Sequence, residues 1–411
     1  MTVPATGAEP SATDAVVSDT TKIYVAQGLR AAAYGFATVL LATSLADRGL
    51  SRWQVGLVLG AMLAGIAITS LAVGRFADRI GRRRSYALLF LLLGVTGIIF
   101  AVTANIWLLV LGGLTGSLSV EVIESGPFTS LEQAMIAAER RSTTRTRNFG
   151  RYNAVAAASG SLGALAAGLA QWAIGGAGGP PAALFLVFVP IAVGGALVAR
   201  SLSVGVEAPG RGAVRGRLVN STSVVRRLAA LFALDSFAGG LTVSVFVGYW
   251  LHTRFHASTE TIGALFFFLG AFQTFSFLAA SALAKRFGLL ATMVFSHLPS
   301  NFLVIAVAFS PNLTVAIILL IARASLSQMD VPTRQAYVMN LVEPDERTPA
   351  AAYTNTARYV TRPFGPPVAS ALSGIALGLP FAVAGSIKVL YDLTLWAWFR
   401  RVPLPGERND D

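Results

Sequence analysis

The sequence predicts an all-α, polytopic membrane protein with twelve transmembrane helices arranged as two pseudo-symmetric six-helix bundles. Three observations lead to this prediction. Only 13% of the 411 residues are charged, whereas a soluble domain has about 25%, and the mean hydropathy is +0.64. Long apolar segments recur along the chain, and the second half repeats sequence features of the first.

The transmembrane segments are recognised by their length, because a helix needs about 20 apolar residues to cross the bilayer core. Strands are a poor alternative, since the apolar runs are long and do not alternate with polar residues. The segments lie at 23–46, 53–74, 85–104, 107–136, 150–172, 182–203, 228–251, 259–283, 289–309, 312–337, 350–374 and 379–399. They divide the chain into a disordered tail (1–21), an N-terminal bundle (22–203), a linker (204–227), a C-terminal bundle (228–400) and a second tail (401–411).

The distribution of basic residues predicts the orientation. Loops 2–3, 4–5, 6–7 and 8–9 are rich in arginine, whereas the loops of the other side hold only Arg48, Arg52 and Arg254. By the positive-inside rule, the basic loops and both tails face the cytoplasm, and we expect the protein in the inner membrane. The net charge of +12 is then a consequence of topology, and no nucleic-acid partner is needed to explain it.

Composition also limits the chemistry. The chain has no cysteine and only three histidines, which removes disulfides, thiol nucleophiles and thiolate metal sites. No set of nucleophile and base and no nucleotide-binding loop is recognisable. We therefore expect neither enzyme activity nor a cofactor.

The two halves align at the ends of their second helices. Residues 74–81 (GRFADRIG), at the end of predicted helix 2, correspond to residues 281–288 (SALAKRFG), at the end of predicted helix 8. A parallel six-plus-six repeat is expected of transporters in which one half rocks against the other.

Residues 74–84, Gly-Arg-Phe-Ala-Asp-Arg-Ile-Gly-Arg-Arg-Arg, carry a more specific signal. At every constrained position they resemble the loop 2–3 signature of the major facilitator superfamily of secondary transporters. A basic loop alone would explain the arginines, but not Gly74, Asp78 and Gly81 at their spacing. The resemblance extends over residues 22–400 and implies transport of a small solute by alternating access.

The same resemblance implies a conformational latch formed by Gly74, Asp78, Arg79, Gly81 and Arg82. In the family, the aspartate engages the cytoplasmic end of helix 11 when the transporter is open outward. Thr348 and Pro349 are typical of a helix start, where a carboxylate meets the positive end of the helix dipole. Lys285 replaces the aspartate in the second half, so we expect no symmetric latch there.

Ionisable residues inside the membrane cost about 2.5–3.5 kcal/mol each and therefore require a partner or a function. Lys388 and Asp392, four residues apart, are expected to pair on helix 12. The other charges fall on helices that border the central cavity in family members. We expect proton-coupling carboxylates among Glu121, Asp235, Glu124 and Asp330, in this order of preference. Substrate-binding or charge-pairing arginines are expected among Arg30, Arg323, Arg358 and Arg362.

Two interpretations of these charges stay open. In one, all of them are permanent salt bridges that hold the bundle together. In the other, a carboxylate takes up and releases protons while an arginine competes for it or for substrate. The repeat favours pairs that bridge the two halves, for example Glu121 with Arg323.

The substrate is less constrained. Phenylalanines crowd predicted helix 8 and suit an amphipathic drug or a lipid-facing surface, whereas the arginines suit a carboxylate or phosphate. His252 with His256, and Met293 with His297, stand four apart as metal ligands on one helix face would. The helix 4 arginine typical of drug–proton antiporters is replaced by Gly112.

We therefore expect a monomeric transporter whose partners are a small-molecule substrate, protons and the lipid bilayer. The first hypothesis is proton-coupled efflux of a drug or metabolite. The alternatives are a proton-coupled or facilitated carrier of an organic anion or metabolite, a metal transporter, and a membrane sensor that does not transport. We expect no resident metal ion.

Overall fold

The computed structural model describes residues 12–119, 126–137, 142–175, 181–207, 218, 221–343 and 346–402, and the regular elements in these ranges are helices. Large apolar side chains such as Ile68, Leu197 and Ile318 are more than half exposed on different helices. Apolar surface spread around a bundle in this way is covered by lipid in a membrane protein.

The N-terminal half consists of seven α-helices in the described ranges. They are α1 (Ala12–Asp47), α2 (Arg52–Ile80), α3 (Arg82–Val102), α4 (Ile106–Leu114), α5 (Gly126–Ala137), α6 (Ser142–Gly175) and α7 (Phe188–Ser201), the last preceded by the 3₁₀ segment Pro181–Val187. Ser51 begins α2 with a capping box, in which its hydroxyl accepts from the backbone N–H of Gln54 and the Gln54 side chain accepts from the backbone N–H of Ser51.

The described C-terminal half follows the same plan with more interruptions. Its helices are α8 (Thr222–Leu241), α9 (Ser244–Phe255), α10 (Thr259–Phe287), α11 (Leu289–Ala308), α12 (Leu313–Ser327), α13 (Asp330–Leu341), α14 (Arg347–Thr361), α15 (Gly365–Ile375) and α16 (Leu379–Phe399), with the 3₁₀ segment Arg362–Phe364 between α14 and α15.

The internal repeat is visible in the backbone. Gly81 joins α2 to α3 with φ +102°, and Gly288 joins α10 to α11 with φ +82°. A residue with a Cβ is strained at such angles, so a single glycine permits the sharp helix-to-helix joint in each half. These are the two glycines that end the aligned segments 74–81 and 281–288.

Eight helices in the described part of the chain are long and apolar enough to cross a membrane, and they coincide with eight of the predicted segments. The other four predicted segments fall on the interrupted pairs α4–α5 and α14–α15 and on α10 and α16. The count of twelve therefore stays a prediction, while the all-helical, two-half architecture is confirmed.

Two predicted boundaries differ from the structure. Helix α1 begins at Ala12, inside the segment 1–21 predicted as a disordered tail, and Asp19 Oδ1 accepts a hydrogen bond from the backbone N–H of Ser203 at 3.0 Å. Helix α8 begins at Thr222, inside the predicted linker 204–227. Local polarity suggested loops at both places. The structure adds contacts with distant residues there: Asp19 accepts from Ser203, and the backbone N–H of Ser221, just before α8, donates to Glu346 Oε2 at 3.0 Å. Residues 1–11 and 403–411 lie outside the described ranges.

The helices pack closely where both partners carry small residues. A Cβ on Gly35 of α1 would lie 1.9 Å from the carbonyl oxygen of Gly160 in α6, and one on Gly163 would lie 2.0 Å from that of Ala32. Such approaches are possible only without side chains and are typical of helix packing in membranes. The small residues of predicted helix 5 thus serve as a packing surface for α1.

We call the end of the bundle that carries the Gly81 and Gly288 joints the basic end, because the arginine-rich loops lie there, and the other end the opposite end. The halves are in contact at the opposite end. Arg52 at the start of α2 donates from Nη1 to the carbonyl of Ser373 in α15 at 3.0 Å. His252 Nε2 of α9 lies 3.2 Å from Asp47 Oδ1 at the end of α1.

Candidate functional site

A cavity of about 220 Å³ lies between the two halves. Helices α1 and α6 form its N-terminal wall with small or uncharged side chains, whereas the C-terminal half brings side chains from α8, α10, α11, α12, α13, α14 and α16. The described residues of the N-terminal wall are Gly35, Thr38, Ala157, Gly160, Ser161 and Ala164.

The charges of the cavity all come from the C-terminal half of the described chain. The described residues of its lining include five permanent cations and two carboxylates, with one histidine. Five of these positions, Asp235, Asp330, Arg323, Arg358 and Arg362, were singled out from the sequence. The structure brings these five to one cavity, and their individual roles stay hypotheses. The charged lining residues are Asp235, His297, Arg323, Asp330, Arg334, Arg358, Arg362 and Lys388.

Asp235 of α8 lies between two cations. Lys388 Nζ of α16 donates to Asp235 Oδ1 at 2.6 Å, and Arg334 Nη1 of α13 lies 3.9 Å from Asp235 Oδ2. Arg334 also donates to Asp330 Oδ2 at 2.6 Å, one helical turn before it. These four residues form a buried, alternating set of charges at the edge of the cavity.

Asp392 of α16 has different partners from those predicted. We expected Lys388 to pair with Asp392, and this expectation is wrong, because Lys388 turns to Asp235 on α8. Asp392 instead accepts from Asn301 Nδ2 at 2.8 Å and lies 3.0 Å from His297 Nδ1, both on α11. Sequence reasoning missed Asn301 and considered His297 only as a metal ligand with Met293, although the four-residue spacing of His297 and Asn301 placed both on one face of an apolar helix.

Arg30 lies apart from the cavity. Its side chain is completely buried in the N-terminal half, and Arg30 Nη2 donates to Glu132 Oε2 at 2.8 Å. The hydroxyl of Tyr86 donates to Glu132 Oε1 at 2.6 Å, and Gln27 and Tyr152 complete the contacts. The candidate substrate arginine on α1 is thus held by a sealed ion pair that is absent from the described lining of the cavity.

The latch residues surround the joint between α2 and α3. Asp78 Oδ1 accepts from Arg82 Nε at 2.8 Å, while Gly74 and Arg79 are exposed. Glu207 of the linker accepts from the backbone N–H groups of Arg82 and Arg83 at 2.6 and 3.1 Å and so caps α3. Contact between Asp78 and the start of α14 stays a prediction, because the Thr348 side chain lies outside the described part.

Glu121 and Glu124, two of the four candidate proton-coupling carboxylates, lie outside the described residues, between α4 and α5. Because Glu121 lies outside the described residues, the suggested pair of Glu121 with Arg323 stays a prediction. The described charge pairs near mid-bundle, Arg30 with Glu132 and Lys388 with Asp235, each lie within one half.

The phenylalanines of α10 do not form a large drug-binding wall. Phe268 and Phe275 are 50% and 68% exposed on the outside of the bundle, and Phe266 is the one described phenylalanine that lines the cavity. The lipid-facing interpretation therefore accounts for most of this aromatic run.

Comparison with known families gives a match to the family model of the Major Facilitator Superfamily over residues 23–249 and 228–411. The uncharacterized membrane protein YJR124C of Saccharomyces cerevisiae is 25% identical over 410 residues, which cover 90% of this chain and 92% of that protein.

Solved structures with the same fold include the nucleoside transporter NupG, with a TM-score of 0.74 at 14% identity, covering 93% of this chain and 99% of that one. The human organic anion transporter MFSD10 aligns with a TM-score of 0.63 at 18% identity, covering 94% and 100%. A D-xylose–proton symporter aligns with a TM-score of 0.68 at 16% identity, covering 93% and 98%. At these identities the likeness concerns the fold alone.

Proposed function

Since the chain belongs to the Major Facilitator Superfamily, a family of membrane transporters rather than enzymes, we propose that it carries a small organic anion together with a proton by alternating access. Family membership makes the protein a multi-pass membrane transporter of a small solute. The class of solute, the coupling ion and the direction are the parts that we propose.

One observation carries the choice of an anion: the described lining of the cavity has five permanent cations and two carboxylates. Arg358 and Arg362, four residues apart on one helix face, offer forked donors that match carboxylate and phosphate groups. One of the structural neighbours, the human organic anion transporter, is named for a solute of this class.

The size of the cavity supports a small solute. Pockets for drug-sized ligands are about 300–1,000 Å³, and this cavity has about 220 Å³. Together with the outward-facing phenylalanines of α10, this favours a metabolite over a bulky amphipathic drug.

Electrostatics favours movement of the anion and the proton in the same direction. A proton bound beside the cavity makes the lining more positive and strengthens anion binding, and the anion strengthens proton binding by the same factor. Mutual strengthening leads to cotransport of the two ligands. Proton-driven efflux, the first hypothesis from sequence, instead requires the two ligands to compete.

Orientation and conformation complete the proposal. We place the basic loops and both ends of the chain in the cytoplasm of an inner membrane, following the positive-inside rule. The contacts of Arg52 with Ser373 and of His252 with Asp47 then close the outer side, and the conformation is inward-facing.

The test is transport in proteoliposomes with a panel of probes: monocarboxylates, dicarboxylates, sugar phosphates, a neutral sugar, a neutral nucleoside and a quaternary amine. We expect only anionic probes to exchange, and an inward proton gradient to accumulate them. Arg358→Gln removes a charge-assisted hydrogen bond worth about 1.5–3 kcal/mol and should raise the KM about 10- to 150-fold. Arg286→Gln, at an exposed position at the end of α10, is the matched control.

Three outcomes would contradict the proposal. Transport of neutral probes with an unchanged KM in Arg358→Gln would exclude anion recognition by this cavity. Accumulation driven only by an outward proton gradient would establish efflux by exchange. No saturable flux with any probe would favour a membrane sensor.

A further inference from the structure

Six buried ionisable residues of the C-terminal half lie together at the edge of the cavity. We call them the C-half cluster: Asp235, His297, Asp330, Arg334, Lys388 and Asp392. None of the six is more than 7% exposed. Three are carboxylates and two are permanent cations, and the neighbouring cavity lining adds Arg323, Arg358 and Arg362. The individual contacts therefore decide where a proton binds.

A carboxylate buried away from water requires a compensating cation, hydrogen bond or proton. The contacts indicate where the proton binds. Asp235 accepts from Lys388 at 2.6 Å, and Asp330 accepts from Arg334 at 2.6 Å. The described contacts of Asp392 are with groups that are neutral before protonation, the Asn301 amide and the His297 ring.

We infer that the pair formed by His297 on α11 and Asp392 on α16 is the proton-binding site of this transporter. Its role in coupling rests on the proposed function. His297 lines the solute cavity, while Asp392 lies behind it with no exposed surface. His297 Nδ1 lies 3.0 Å from Asp392 Oδ1 and 3.1 Å from Asn301 Nδ2. When Asp392 is ionised, its oxygens can only accept, so Nδ1–H of His297 donates to it and Nε2 is the ring nitrogen that takes the proton.

The surroundings of His297 determine the effect of that proton. Four neighbouring helices bring titratable or charged groups near His297: Lys388, Tyr391 and Asp392 on α16, Asp330 and Arg334 on α13, Asp235 on α8 and Arg323 on α12. The charged residues Lys285 and Arg286 of α10 lie at the exposed end of that helix. Protonated His297 pairs with Asp392 and adds one positive charge to the cavity lining. The solute anion and the proton thus meet at neighbouring positions of the same half.

The chain contains only His252, His256 and His297, so histidine-selective isotope labelling gives three ring signals. We would titrate labelled protein in nanodiscs by NMR between about pH 5 and 9, the range in which histidine changes charge. His297 is expected to pass from the neutral Nδ1–H form to the imidazolium by binding one proton. In Asp392→Asn its charged fraction at any given pH should fall, because the imidazolium has lost its nearest carboxylate.

The chain provides a matched control. Asp47→Asn removes the carboxylate beside His252 at the opposite end and should change the His252 signal while leaving the His297 titration unaltered. A second measurement uses protons as the only ligand: pH-jump currents of proteoliposomes on a solid-supported membrane. These currents should be lost in His297→Gln and in Asp392→Asn and kept in Asp47→Asn.

The inference is overturned if His297 keeps one protonation state throughout the range, or if Asp47→Asn and Asp392→Asn change its titration equally. Both results leave anion transport untouched, because they concern the proton alone. Conversely, if His297 titrates but the protein carries neutral probes, the anion proposal is refuted and the proton site is retained. Labelled wild-type protein suffices for the titration, so a misfolded variant does not prevent a decision.

Discussion

Replacing Glu132 by Gln tests whether Arg30 is a structural residue or a substrate ligand. Arg30 and Glu132 are both fully buried, with Nη2 and Oε2 2.8 Å apart. Glutamine keeps the size of the side chain and removes the charge, which leaves a guanidinium without a compensating anion. Breaking a buried pair in this way costs about 3–5 kcal/mol, which lowers the ratio of folded to unfolded protein about 150- to 4,000-fold.

The assay is denaturant or thermal unfolding of the detergent-purified protein, followed by tryptophan fluorescence and by the monodisperse fraction on size exclusion. Tyr86→Phe removes one hydrogen bond to the charged carboxylate and should cost less, about 1.5–3 kcal/mol. Glu343→Gln, at an exposed position, is the control and should change stability by less than about 0.5 kcal/mol.

The double variant Arg30→Met with Glu132→Leu distinguishes a charge effect from loss of packing. It removes both charges, so it should be more stable than Glu132→Gln, although two tyrosine hydroxyls lose their acceptor. The reasoning is refuted if Glu132→Gln is as stable as Glu343→Gln, or if the double variant is no better than Glu132→Gln. A selective rise in KM at normal stability would return Arg30 to the list of substrate ligands.

Three further changes act on the balance between conformations, and double electron–electron resonance between pairs of introduced cysteines measures them in this cysteine-free chain. Asp78→Asn should increase the inward-open fraction and slow transport, since this carboxylate is bonded here within its own loop and is predicted to latch only the outward-open state; unchanged populations and rate would remove the latch. Asp47→Asn breaks a partly exposed contact between the halves worth at most about 1 kcal/mol, so the outward-open population should rise by no more than about fivefold. In Gly56→Val, the new Cβ would lie 2.3 Å from the Ser370 hydroxyl of the other half, so this variant should separate the halves at the opposite end more than Asp47→Asn does. Equal distances between the spin-labelled halves in the two variants would contradict this.

The architecture was predictable because its causes are local in sequence. The length of an apolar run identifies a membrane-crossing segment. The aligned segments that end at Gly81 and Gly288 indicate the same helix-to-helix joint in each half. The interruption between α8 and α9 was not predicted. It lies beside Gly240, where an added Cβ would be 2.4 Å from the carbonyl of Arg362, a contact with a segment far away in the chain that local sequence does not show.

The candidate site was predictable only in part. The sequence places Lys388 and Asp392 on one helix face, but it does not show that Asp235 lies nearer to the lysine. Arg30 was expected among the cavity arginines because helix 1 borders the central cavity in members of the family that the sequence resembles. A helix that is apolar all round gives no periodic signal of which side faces the cavity and which side faces its own bundle.

The described charged residues that line or border the cavity are distributed unequally between the two halves. In the N-terminal half, Arg30 and Glu132 neutralise each other in a sealed contact, and the described residues of that half present a small-residue, uncharged wall to the cavity. The C-terminal half holds both the cationic lining and the C-half cluster around His297. If solute and proton both bind the C-terminal half, rocking of the other half exposes them to one side or the other together. Coupling then needs no charge pair that bridges the halves, because mutual electrostatic strengthening within one half already makes the doubly loaded state the favoured one to carry.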